Sequence, residues 1–389
     1  MKVNSPIILP LMTLGLLVSA TLALAQGSLT PPGPPGPTML TLSQIEPRTP
    51  ISALPATITT SGSYYLTTNL TCTACTNGIA GVTIAISDVT LDLNGFTLQG
   101  QTGSGAGISV PNSERNLTIR NGVLDSWGVR GTNAFNSLFE RLRQSNSAGP
   151  GLLTGSNCVV LVCSASANST VGIGVGNNCT VKDCTVSGTS GIGILVSNGC
   201  VVADCAASGN SSDGINCAVG TTVRSCASYQ NGGYGVSTVS GCTVIGCTAS
   251  GNKGTAGIGG SGCTIIDCTA SGSLVGIFVG AYSIVKDCTA NTNTDSGILV
   301  DGTGCLIAGN TCNGNDLGIW IVGAQNRIDG NTVNQNSEFG IYPTAVNMNN
   351  IITRNSAPGN SIAYGSYTNN NDYAPTGTVS TATNPWMNF

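Results

Sequence analysis

The chain has 389 residues, of which 8% are charged, with a formal net charge of −4 and no histidine. That composition excludes Ser-His-Asp and Cys-His catalysis, and a weakly acidic chain with scattered Lys and Arg is a poor nucleic-acid binder. Hydrophobic residues reach 40%, yet no interior segment is continuously apolar for the roughly 18 residues that a spanning helix needs.

The N-terminus carries Lys2, an apolar run from Ile7 to Leu24 and the small-residue tripeptide Ala23-Leu-Ala25. This reads as a secretory signal peptide over residues 1–25. Pro6 and Pro10 argue against a stable spanning helix there. No transmembrane segment is expected after cleavage, so the mature chain is expected to be secreted, periplasmic or on the cell surface. Residues 26–50 contain Pro31-Pro-Gly-Pro-Pro-Gly-Pro37, which predicts a stiff polyproline-like linker. Residues 51–88 read as an N-terminal cap, needed because an open sheet end exposes unpaired strand edges. Cys72 and Cys75 lie here, outside the repeats described next, and can pair with each other.

From residue 89 to 357 the chain repeats. One copy is Cys179-Thr-Val-Lys-Asp-Cys-Thr-Val-Ser-Gly-Thr-Ser-Gly-Ile-Gly-Ile-Leu-Val196. Its second cysteine recurs as Cys163, Cys184, Cys205, Cys226, Cys247, Cys268 and Cys288, then gives way to Asn310, Asn331 and Asn355. A fixed period near 21 residues means stacked units. Within each copy the apolar residues alternate in three short bursts, a strand signal, separated by Gly, Asp and Ser turns. The expected fold is all-β: a single-stranded right-handed parallel β-helix of about a dozen coils of ~21 residues, each with three short strands, stacked at ~4.8 Å.

Stacking places like on like. A first inward column runs Cys158, Cys179, Cys200, Thr221, Cys242, Cys263, Ser283 and Cys305; the recurring cysteines form a second. The third is expected at Ile192, Ile215, Val236, Ile258, Ile277, Ile298, Ile319 and Ile341, each after a glycine. Cys217 is expected in the slot of Ile194 and Cys312 in that of Val186, which makes these cysteines small buried hydrophobes. Parallel in-register neighbours stay ~4.8 Å apart at Cβ, outside the usual disulfide range, so free thiol ladders are expected. Asn310, Asn331 and Asn355 are expected to form an amide ladder, because buried amides need partners and a stack supplies them. Residues 358–389 read as a tail that folds over the end or side.

Val89 to Leu98, Asn116 to Leu124 and the Cys-Thr-Val-x-x-Cys coil resemble right-handed parallel β-helix repeat proteins of the pectin-lyase-like superfamily. The resemblance covers roughly residues 55 to 357 and implies the fold. That fold hosts polysaccharide lyases, hydrolases, epimerases, phage tailspikes and a copper-site maturation protein, so activity has to be argued from a site.

Asn293-Thr-Asp295 resembles the first polygalacturonase motif, but the paired Asp-Asp, Gly-His-Gly and Arg-Ile-Lys of that family are missing. Gly257-Ile-Gly-Gly-Ser-Gly262 matches a dinucleotide fingerprint without the helix that must follow it. Arg141, Arg143, Arg224 and Arg327 do not fall in one column. Asp183, Asp204, Asp267 and Asp287 occupy the turn before the second cysteine, where carboxylates on adjacent coils suit Ca²⁺ or simple pairing with Lys182 and Lys286. No other cofactor is expected. In the third strand, the outward position is small in early coils (Gly174, Gly193, Asn216, Ser237, Gly259) and large in later ones: Phe278, Leu299, Trp320 and Tyr342. Such a stripe is either a ligand platform or is covered by tail residues such as Tyr364, Tyr367, Tyr373, Trp386 and Phe389. These features point to a secreted or surface binding or scaffold module, with a polysaccharide or cell-surface component as partner. The alternatives are a polysaccharide lyase or glycoside hydrolase with a non-standard site, and a purely structural surface protein.

Overall fold

A computed structural model describes residues 46–75, 78–101, 105–344, 349–365, 372–373 and 387–388. The signal-peptide region and nearly all of the linker lie outside these residues. The body belongs to the compact unit Arg48–Phe389. All regular structure among its described residues is strand, and no described helix is long and apolar enough to cross a membrane.

Short parallel strands stack coil upon coil. In the coil around residue 184, Thr180–Lys182, Thr185–Ser187 and Ile194–Val196 each pair in register with the equivalent strands of both neighbours. The third strands form a 15-stranded parallel sheet. The first and second strands belong to one 25-stranded sheet, fused near the N-terminal end where Thr118–Asp125 and Leu138–Ser145 run through both positions. Parallel pairing starts earlier than residue 89: Thr49–Ile51 pairs with Gly62–Leu66, which pairs with Val89–Asp92. The segment expected as a cap is therefore laid down as coils. At the other end Ile362–Tyr364 continues the third sheet, so the first part of the expected tail is also coil.

The regular coils turn three times, and from Asn157 to Arg354 the turns share one construction: a residue with positive φ is followed at once by a buried polar or thiol side chain. Earlier coils often place an apolar one there, as Leu117, Trp127 and Leu142 follow Asn116, Ser126 and Arg141. In the coil around residue 184 the pairs are Asn178 (φ 56°) with Cys179, Asp183 (φ 54°) with Cys184 and Gly188 (φ 61°) with Thr189. Gly, Asn and Asp recur before the column residues because they tolerate the left-handed region best. The column residue then ties its coil to the one before. The Cys163 N–H donates to Cys184 Sγ at 3.4 Å, and Cys184 Sγ–H donates to the Lys182 carbonyl at 3.1 Å.

All fifteen array cysteines are free and buried, and Cys72 and Cys75 are disulfide-bonded. Contact with the Cys163 thiol and burial push Cys184 up to about 12, and burial alone pushes Cys312 up. These two thiols stay protonated at neutral pH and serve as weak donors, whereas contact with Cys179 brings Cys158 down to about 7. Where cysteine yields to asparagine the same bonds become stronger. The Cys288 N–H donates to Asn310 Oδ1 at 2.9 Å, and Asn310 Nδ2 donates to the Val285 carbonyl at 3.0 Å and to Asn331 Oδ1 at 2.9 Å. The ladder runs on through Asn355 to Asn388, which accepts the Asn355 N–H at 2.9 Å. The expected amide ladder is thus present, and a tail residue forms its last rung.

The first column also ends in asparagine, at Asn326 and Asn350. A third ladder follows the second strand: Asn210, Asn231 and Asn252 in earlier coils, then Asn293, Asn315, Asn336 and Asn360. This third ladder corrects one column assignment. Ile215 pairs with Ile194, not Ile192, and Cys217 with Val196. Gly193 lies against Asn210, where a Cβ would fall 2.6 Å from Nδ2. Only glycine fits that corner, which turns Ile194 inward and leaves Ile192 half-exposed. Cys312, opposite Val333 and 0% exposed, keeps its expected core slot.

Candidate functional site

The apolar stripe lies on four five-residue strands of the third sheet: Val275–Val279, Ser296–Val300, Leu317–Ile321 and Phe339–Pro343. Their pairing sets Phe278 beside Leu299, Leu299 beside Trp320 and Trp320 beside Tyr342. Isoleucines of the same strands, Ile277, Ile298, Ile319 and Ile341, are 0% exposed and hold the strands to the core. Alternation then sends the stripe outward. In earlier coils the outward residue is Gly174, Leu195, Asn216, Ser237 and Gly259; Leu195 replaces the expected Gly193, by the same register correction.

All four stripe side chains are half-buried. The Trp320 indole N–H is shielded and, among the described residues, has no hydrogen-bond partner. Phe339 stacks on Tyr342, with ring centroids 4.3 Å apart and planes 18° apart. Gly365 backs onto the same tyrosine, since a Cβ there would fall 2.6 Å from its ring. Of the tail residues weighed as covers, Tyr364 belongs to the coil wall and donates its hydroxyl to the Asn355 carbonyl at 2.8 Å. Tyr367, Trp386, Phe389 and the Tyr373 side chain lie outside the described residues.

Carboxylates border the stripe. Asp295, Asp316 and Glu338 each immediately precede paired positions of successive strands, Ser296, Leu317 and Phe339. Burial, and then the Asp316 charge, raise Asp295 above the usual carboxylate range. Asp301 follows the Leu299 strand and is exposed. Among the described residues none of these four makes an ion pair. The Lys and Arg side chains of these coils are committed elsewhere: Lys286 to Asp287 at 2.9 Å, and Arg327 and Arg354 both to Asp329. No sequence motif marks this acidic column, because its members are 21 and 22 residues apart and differ in side chain.

The four turn aspartates have a conformational role. Asp183, Asp204, Asp267 and Asp287 all adopt φ of 53–55°. Asp183 pairs with Lys182 at 3.4 Å, Asp204 with Arg224 at 3.8 Å and Asp287 with Lys286. Their side chains are roughly two-fifths exposed, and among the described residues no three His, Cys, Asp or Glu side chains are grouped to hold a metal. Asn293 of the polygalacturonase-like motif is a rung of the third ladder, 2% exposed. Arg141 and Arg143 do converge, on a depression of about 350 Å³ that Asn121 and Val162 also line, with Arg141 paired to Glu140 at 2.8 Å.

The family model described as "Right handed beta helix region" matches residues 176–270. That match agrees with the in-register parallel coils already described. The chain is a right-handed parallel β-helix protein. A second model, "Periplasmic copper-binding protein (NosD)", matches residues 229–386. This β-helix is similar to the A-module of the mannuronan C-5 epimerase AlgE6 of Azotobacter vinelandii, at 17% identity, covering 81% of this chain and 91% of that one, with a TM-score of 0.43. A mannuronic-acid-specific polysaccharide family 6 lyase from human gut microbiota is similar at 11% identity, covering 80% and 86%, with a TM-score of 0.48. Gene product 12 of bacteriophage phi29 is similar at 12% identity, covering 79% of this chain and 49% of that one, with a TM-score of 0.51. At such identities the likeness is one of fold alone. No curated protein matches the chain.

The described residues of this β-helix do not fit a copper site. The sequence has no histidine, and every array cysteine is buried and directed at the coil interior. Soft-metal coordination needs converging, deprotonatable ligands; here the thiols run in columns with their donors mostly aimed at backbone carbonyls.

Proposed function

We propose that this β-helix is an extracytoplasmic binding module whose platform is the stripe Phe278, Leu299, Trp320 and Tyr342, and whose ligand is a polysaccharide. One observation carries the reading: four large side chains occupy consecutive outward positions at the strand spacing, half-exposed, on coils stiffened by three asparagine ladders. Sugar rings present apolar faces that stack on aromatic surfaces, and a rigid platform loses little entropy on binding. The match to a periplasmic family model and the signal-like N-terminus support a location outside the cytoplasm. Affinity electrophoresis through gels containing neutral and charged polysaccharides tests the reading. Retardation of the wild-type protein by at least one polymer is expected, with loss of most of it in Trp320→Ala.

A catalytic role has one observation in its favour, the adjacent carboxylates Asp295 and Asp316 with Asp295 raised. Release of unsaturated or reducing ends from the retarding polymer, abolished in Asp295→Asn, would convert the module into an enzyme.

A further inference from the structure

We infer that the platform selects a cationic glycan, a polymer of amino sugars bearing ammonium groups, over anionic uronate polymers. The inference rests on the platform reading above and adds a charge preference to it. Asp295, Asp316 and Glu338 form an in-register column at the corner leading into the stripe-bearing strands. Asp316 and Glu338 are exposed, and Asp316 accepts a hydrogen bond from Ser337 Oγ. Asp301, two residues beyond Leu299, is exposed on the opposite side of the stripe. Along the strand, Asp316 lies ~13 Å from Trp320 and Asp301 ~7 Å from Leu299. The second distance is within the Debye length of ~10 Å at about 0.1 M salt; the first lies beyond it there and comes within it only at low salt, where the length reaches ~30 Å at about 0.01 M.

Among the described residues none of these four carboxylates is neutralised by an ion pair, and each Lys and Arg between residues 286 and 354 is held by Asp287 or Asp329. A carboxylated polymer laid on the stripe would therefore meet like charge on both flanks. An ammonium-bearing polymer would meet opposite charge there and stack its ring faces on the same side chains. Complementary potentials of this kind set partner choice more than total affinity.

The test compares three hexamers by calorimetry at low salt in mildly acidic buffer, where the amines are charged: β-1,4-linked glucosamine, cellohexaose and β-1,4-linked mannuronate. Wild-type protein is expected to bind the glucosamine hexamer about tenfold tighter than cellohexaose, to leave mannuronate unbound, and to lose the preference as salt rises. The double variant Asp316→Asn, Glu338→Gln is expected to bind glucosamine and cellohexaose equally, with its melting midpoint unchanged. Should the double variant fold poorly, Glu338→Gln alone, at an exposed position, is expected to shrink the preference. Equal binding of the two hexamers by the wild type, tighter binding of mannuronate, or a preference that survives the carboxylate substitutions overturns the charge inference. If cellohexaose binding is then still lost in Trp320→Ala, the platform itself stands. Binding of no hexamer, or binding indifferent to Trp320→Ala, removes the platform and the inference with it.

Discussion

Cysteine and asparagine perform one task in this protein. Both follow a left-handed turn residue, both accept the N–H of the preceding coil's column residue, and both donate to backbone carbonyls. They differ in strength: an amide makes full hydrogen bonds where a thiol makes weak ones. Cys288 is the last thiol before Asn310 in its column, so it is the place to exchange them. Cys288→Asn is expected to preserve or raise stability, since Asn310 lies beside it to receive a donated bond. Cys288→Val keeps the volume but leaves the Cys268 N–H without its acceptor, at a cost of about 1 kcal/mol. Denaturant midpoints of the two variants check this; equal midpoints would reduce the column to plain hydrophobic packing.

An individual coil cannot stand alone, because its faces are buried only against its neighbours. What keeps successive coils in register is the fit between the third ladder and the glycines beside it. A Cβ at Gly276 would fall 2.6 Å from Asn293 Nδ2 and 2.6 Å from the Gly297 carbonyl. Gly209, by contrast, has positive φ, 60°, and open space around its Cβ position. Gly276→Ala is therefore expected to lower the melting midpoint far more than Gly209→Asn, although glycine is replaced in both. The first displaces backbone and a ladder amide, at several kcal/mol; the second asks for a left-handed residue that asparagine tolerates, at under about 1 kcal/mol.

At the scale of the whole molecule, a stack opens most readily from its ends. The C-terminal coils are closed by Asn388 and by the cluster at Asp329, where Arg354 Nε donates at 2.7 Å and Arg327 Nη2 at 2.9 Å. The Asp329 side chain is 8% exposed, and the Arg354 bond, ahead of that to Arg327, holds its carboxyl down at about 2, against an ordinary 3.8. A depressed carboxyl stabilises the fold above its unfolded value and loses that contribution as pH falls through its folded value. The contribution, about 2 kcal/mol, is thus expected to be complete above about pH 4 and gone below about pH 2. Asp329→Asn should destabilise the protein at pH 7 and approach wild-type stability near pH 2. A constant difference across that range, measured by thermal melts, would detach Asp329 from end closure.

Period, strand number and the identity of two columns are legible in the chain because a stacked fold repeats its contacts at every coil, so one residue's environment is written many times over. The amide ladder at Asn310, Asn331 and Asn355 and the stripe at Phe278, Leu299, Trp320 and Tyr342 follow from that periodicity alone. The choice between Ile192 and Ile194 did not, because Gly-Ile-Gly-Ile is identical under a two-residue shift; a clash with Asn210, more than a dozen residues away, resolves it. Asn388 as the last rung, and Asp295, Asp316 and Glu338 as one flank of the stripe, also needed the tertiary structure. Their spacing is irregular or their side chains differ, and only the closed coil brings them into line.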